Sequence, residues 1–153
     1  MPMPHIHEKI DFAVTIFIVH SEKVLFIKHK SLGIWLAVGG HVELDEDPET
    51  AALREVREES GLEIELLGTR PDVAMTNGQM LIPPIFLDIH DITPSHKHIG
   101  MVYFARAKTD RVVLAEHEHD DIRWLTAADL DDPRYNLLPQ IRFYAQEALR
   151  LCA

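Results

Sequence analysis

Three glutamates, Glu55, Glu58 and Glu59, crowd into the segment GHVELDEDPETAALREVREESGL, residues 40–62. If this segment is helical, each residue advances about 100° around the axis. With Ala51 at zero, Glu55, Glu58 and Glu59 fall at about 40°, 340° and 80°. Ala52 and Val56 fall at about 100° and 140°, a neighbouring stripe that would face a core. Like charges three and four residues apart repel mildly. A hard divalent cation reverses that penalty, because Mg²⁺ takes oxygen ligands and completes its shell with water and phosphate. Gly39 and Gly40 precede the helix and let backbone approach the same place, where a carbonyl can serve as a further ligand. An acidic helix face alone is ordinary solvated surface, so the wider spacing has to decide.

That spacing is Gly40, five residues, Glu46, seven residues, then Arg54-Glu55-Val56-x-Glu58-Glu59-x-Gly61-Leu62. It resembles the box of the Nudix family at every fixed position and at both aliphatic ones. The flanks are similar too, with Trp35 just upstream of the double glycine and Glu118 six residues before Trp124. Two neighbours depart from the common pattern. Asp45 stands where glycine often precedes the box glutamate, and Val38 stands where proline often precedes the double glycine. Asp tolerates positive φ better than most residues, so the loop should survive.

The resemblance implies an α/β fold, an α/β/α sandwich around a mixed β-sheet, with residues 1–153 forming one domain. It implies that Glu55, Glu58 and Glu59 bind metal or its waters, with the Gly39 carbonyl as an extra ligand. Arg54 and Glu46 would pair and aim the helix glutamates. The reaction implied is hydrolysis of a diphosphate in a nucleotide or nucleoside diphosphate derivative, with Mg²⁺, or Mn²⁺ in its place. Water attacks phosphorus in line, and the base is Glu55 or Glu118. Within the family, a triphosphatase for nucleotides such as oxidised dGTP competes with an ADP-ribose or sugar-nucleotide hydrolase, and the short chain leans to the first. A non-catalytic nucleotide sensor is the alternative of another class. The intact acidic set argues against it.

Other side chains invite chemistry less strongly. His90, His96 and His98 read as a polar loop facing solvent, where one could contact substrate phosphate. A structural zinc site is disfavoured because no cysteine accompanies them. Trp35, Phe12, Tyr103 and Phe86 could stack a base, but all lie in apolar strand patterns that suit a core.

The elements that must position the box follow from pattern. Phe12–Val19 reads as a buried strand, His20-Ser21-Glu22 as a turn, and Lys23–His29 as its hairpin partner. A short apolar run, Ile34–Val38, ends at Gly39-Gly40. Asp47 is an N-cap with Pro48 at the first helical position, and Gly61 is the stop. Leu62–Leu67, Phe86–Ile92 and Ile99–Ala107 read as strands, with Thr76–Pro84 and Thr93–His98 as loops. A polar stretch, Glu116–Asp121, precedes Ile122–Leu125. A last helix runs from about Leu137 to Leu151, with Ile141, Ala145, Ala148 and Leu149 as its core face.

With 153 residues, 46% hydrophobic and 26% charged, the chain suits one globular domain. Fifteen basic against 25 acidic residues give −10, which argues against nucleic-acid or anionic-membrane partners and against an RNA-decapping role. The expected partner is a nucleotide-type small molecule, with a homodimer left open. The one cysteine, Cys152, lies at the end of the chain. It fits a reducing, cytoplasmic setting and disfavours isomerase chemistry that needs an interior thiol. MPMPHIHEKID carries no signal-peptide pattern.

Overall fold

Strand β1, Ile10–His20, runs through the middle of an eight-stranded mixed sheet in the computed structural model, which describes residues 8–153. The expectation for the N-terminal stretch falls mostly on residues 1–7, outside the described residues. β1 turns back into β2, Lys23–His29, through Ser21 and Glu22 at φ 47° and 61°. Two successive positive φ values give the tight turn whose twist matches paired strands.

The apolar run before the double glycine is two strands, not one. β3, Trp35–Leu36, pairs with β2, whereas β4, Val38–His41, pairs antiparallel with β1. Both glycines therefore lie inside β4, with Thr15 opposite Gly39 and Val14 opposite Gly40. A Cβ built on Gly39 would stand 2.3 Å from the Val14 carbonyl oxygen. Gly39→Ala must displace backbone in the central ladder, at a cost of about 1–3 kcal/mol. For a chain of this size the melting temperature should fall by roughly 2–12 °C in a calorimetric scan. An unchanged midpoint would show that β4 has slack there.

Helix α1, Pro48–Ser60, matches the boundaries read from its caps. The Asp47 side chain accepts from the Thr50 N–H at 2.9 Å, and Gly61 closes the helix at φ 73°. Then come β5 (Ile64–Leu66), β6 (Phe86–Thr93), β7 (His96–Ala107) and β8 (His119–Leu125). β7 is parallel to β1 over ten register pairs and antiparallel to β5 and β6. β8 pairs antiparallel with β2. A short 3-10 turn at Asp129–Asp131, which the sequence pattern did not suggest, leads towards α2, Pro139–Cys152.

β1 is apolar without alternation because both of its faces are covered. Val14, Ile16 and Ile18 pack with Ala51, Ala52 and Val56 of α1. Phe17 and Val19 pack with Phe104 and with Ile141, Tyr144, Ala145 and Ala148 of α2. Burying each such large side chain contributes about 1.5–3 kcal/mol. The α/β/α sandwich expected from the sequence is present. Leu149, expected in the α2 core face, is only partly buried. No helix among the described residues is long and apolar enough to cross a membrane.

Candidate active site

Arg54 is the hub of the box. Its Nε and Nη2 donate to the two oxygens of Glu46 at 2.7 and 2.9 Å, a bidentate pair. Nη1 donates to Glu55 at 2.9 Å and to Glu58 at 3.2 Å, and Nη2 donates again to the His41 carbonyl at 3.0 Å. Those contacts use all five donors of the guanidinium. Glu46 in turn accepts from the Glu43 N–H, and its bond to Arg54 holds its carboxyl below the usual range. One cation thus fixes the loop before α1, the end of β4 and two helix carboxylates.

Glu59 faces inward, as its position beside the Ala52–Val56 stripe requires. It is 5% exposed and accepts from the Gly39 N–H at 3.2 Å. Gly39 spends that N–H on Glu59 rather than on β1. In an antiparallel ladder its carbonyl points to the same edge, so it too lies on the α1 side of β4. Burial, then the neighbouring Glu55 charge, pushes the Glu59 carboxyl up to about 8, and Glu118 adds to the effect. Burial likewise raises Glu55. Its carboxylate fills the space that a side chain on Gly40 would take: a Cβ there would meet Glu55 Oε1 at 2.2 Å. Glu58 is largely exposed.

The polar stretch before β8 closes the site, and one of its residues was not singled out from the sequence. His119 is 5% exposed, with Nε2 3.7 Å from both Glu59 Oε1 and Glu118 Oε2. Neither ring nitrogen has a hydrogen-bond partner, and burial lowers its pKa. A buried, unpartnered imidazole is costly unless something fills the gap. Ligand atoms of Glu59, Glu118 and His119 all lie within 4.8 Å of one another. One buried and one exposed carboxylate beside an orphan imidazole fit a divalent cation. No local sequence signal marked it: β8 starts at His119 itself, after a register shift against Lys28 and His29, so the residue belongs to the sheet and not to a solvated turn.

The ring candidates divide. Tyr103 is buried and its hydroxyl donates to the Ile82 carbonyl at 3.1 Å. Phe86 packs against Phe104 and Tyr144, and Phe12 is exposed. Trp35 borders a cleft of about 200 Å³ with Lys28, Asp121, Arg123, Arg134 and Tyr135. Arg123 lies over the Trp35 ring at 5.6 Å, and Tyr135 meets the ring edge-on at 5.6 Å. The cleft runs along β8 from a point two residues beyond His119. Glu49, in the first turn of α1, is also buried. It accepts from Arg70 and from the Ile82 N–H, pinning the long loop before β6 onto α1.

Residues 9–146 match the model of the NUDIX domain. A hydrolase of the NUDIX family from Clostridium perfringens superposes with a TM-score of 0.85 at 33% identity, covering 94% of this chain and 98% of that one. An RNA pyrophosphohydrolase of Gluconacetobacter diazotrophicus is 49% identical over 41 residues, 26% of this chain and 25% of that protein. A probable DHNTP pyrophosphohydrolase of Lactococcus lactis subsp. cremoris is 29% identical over 111 residues, 72% of this chain and 63% of that protein. The chain therefore spans between a quarter and just under two thirds of these two curated relatives. The domain match and the near full-length structural overlap agree with the geometry around Arg54, and this chain belongs to the Nudix family.

Proposed function

We propose that this chain is a Mg²⁺-dependent pyrophosphohydrolase that cleaves the diphosphate bond of a nucleotide or nucleoside diphosphate derivative. The observation that carries the reading is Glu59. It is a buried carboxylate pushed up to about 8, beside Glu55, Glu118 and an imidazole with no partner. Such a cluster is unstable as anions and becomes favourable around a cation. Mg²⁺, or Mn²⁺ in its place, would supply positive charge against the phosphate oxygens. Glu59, Glu55 and the Gly39 carbonyl, all oxygen donors, would hold it, with Glu58 at the exposed rim. Arg54, clamped by Glu46, keeps Glu55 and Glu58 aimed. Glu118 is the favoured base: its carboxylate is exposed and only approaches the His119 ring, at 3.7 Å, whereas Glu55 Oε1 already accepts from Arg54. Glu118 Oε2 takes the proton of the attacking water. The cleft beside β8, with two aromatic rings and three cationic side chains, suits an aromatic base and its phosphates. The names of the two relatives support pyrophosphate removal. A cytoplasmic setting fits the single, buried thiol of Cys152.

The test is a substrate panel with Mg²⁺. It holds nucleoside triphosphates (oxidised dGTP among them), DHNTP, ADP-ribose, sugar nucleotides and an RNA bearing a 5′ triphosphate. Turnover should appear on a small nucleotide-type substrate, vanish after chelation and return with added Mg²⁺. Full turnover after exhaustive chelation rejects the reading.

A further inference from the structure

A second group of metal-type ligands gathers on the other face of the sheet. In β1 the even residues Val14, Ile16 and Ile18 face α1, and the odd residues Phe17 and Val19 face α2. Asp11 and Ala13 continue the odd, α2-side row. The registers set Asp11 opposite His98, Ala13 opposite both His41 and Gly100, and His98 opposite His90. Paired residues share a face. Asp11, His41, His90 and His98 therefore converge beyond the end of α2, on the side of the sheet away from Glu55 and Glu59. They can do so because the positions between them are small. Ala13 carries one methyl, and a Cβ on Gly100 would come within 2.5 Å of Asp88 Oδ1. His96 and His98, read from the sequence as loop residues, lie on β7 and project from the same row.

The distances have the form of a coordination shell. His41 Nε2 lies 3.1 Å from His98 Nε2, and Asp11 Oδ2 lies 3.8 Å from His41 Nε2. All three ligand atoms fall within 4.8 Å of one another. Tetrahedral Zn²⁺ with bonds of about 2.0–2.1 Å sets neighbouring ligand atoms about 3.3 Å apart. The surrounding groups are of the kind that orient ligands. His96 Nε2 contacts Asp11 Oδ2 at 3.0 Å. His90 Nδ1 pairs with Asp88 Oδ1 at 2.8 Å, and the Tyr144 hydroxyl donates to Asp88 Oδ2 at 2.6 Å.

We propose that Asp11, His41 and His98 form a binding site for a Zn²⁺-class cation, separate from the carboxylate site, with His96 orienting Asp11 and water in the fourth position. Two imidazoles and one carboxylate select Zn²⁺ and its neighbours over Mg²⁺, which prefers oxygen throughout. The ion joins β1, β4 and β7, elements far apart in sequence. It also steadies β4, whose His41 carbonyl accepts from Arg54 and whose Gly39 N–H holds Glu59. This proposal stands whether or not the chain hydrolyses a diphosphate.

Calorimetric titration of the untagged, metal-free chain with ZnCl₂, with Mg²⁺ in excess, should find one Zn²⁺ at a Kd of about 1 µM or tighter. His41→Ala and His98→Ala should each weaken it by about 10–100-fold, and the pair should abolish it. Glu59→Gln should leave it unchanged. Zn²⁺ should also raise the melting temperature of the wild type and not of the double variant. X-ray absorption of the Zn²⁺-loaded wild type should show scattering from two imidazoles, a readout that needs no variant to fold. Tight binding that survives in the folded double variant, binding lost in Glu59→Gln, or an absorption spectrum without imidazole scattering would each overturn the site.

Discussion

Glu59→Gln should cut turnover by about a hundredfold or more while leaving the metal-free protein at least as stable as the wild type. The side chain keeps its size, so packing against the Ala52–Val56 stripe is kept. What is lost is a charge in a buried cluster. Removing one such electrostatic contact from a phosphoryl-transfer site is worth about 3 kcal/mol, or on the order of a hundredfold in rate. Stability moves the other way, because burial chiefly, and then Glu55, disfavours the Glu59 anion. The folded-state pKa of about 8 is above that of an unfolded glutamate, about 4.3. Its contribution to stability is therefore fully present below about pH 4.3 and is lost as pH rises towards 8. Metal-free melting curves of the wild type should fall relative to Glu59→Gln across that window. Mg²⁺ should lift the wild type most at the alkaline end, where the carboxylate is ionised. Parallel melting curves for the two proteins from pH 5 to 8 would show that Glu59 does not carry the strain assigned to it.

Arg54→Ala should lower turnover by about 10–100-fold, the usual effect of removing a group that orients metal ligands, with circular dichroism unchanged. Arg54→Lys should do nearly as badly. Lysine offers one point charge and cannot reproduce the fork that reaches Glu46 at two atoms and Glu55, Glu58 and the His41 carbonyl at three more. Glu46→Gln should share much of the same loss, so the double variant Glu46→Gln, Arg54→Ala should fall well short of additive. A lysine variant with full turnover, or strict additivity in that cycle, would remove the aiming role.

The parts of the site that were legible in the sequence rest on neighbours close along the chain. Asp47, Pro48 and Gly61 mark both ends of α1 because a cap needs only the backbone a few residues away. The Glu55–Glu58–Glu59 face follows from helical period. The Arg54–Glu46 pair was reached through the resemblance to the box, whose spacing reflects a loop folding back onto the first turns of the helix. Ser21 and Glu22 were readable as a turn for the same local reason.

What the sequence by itself determined was thus the acidic helix, encoded in periodicity and caps, and the family, carried by the spacing of the box, with the sandwich implied by that resemblance. The tertiary structure alone decided that the run at Ile34–Val38 splits at Ala37, because β3 and β4 have different partners. It alone showed His119 buried between Glu59 and Glu118, since a strand starting at that residue is fixed by its pairing with β2 across ninety residues of chain. It alone brought Asp11, His41 and His98 together. Their meeting depends on the registers of β1 with β4 and β7, and on the small volumes of Ala13 and Gly100. Register is set by long-range packing on both faces of a sheet, and a shift of one residue would send every one of these side chains to the opposite side.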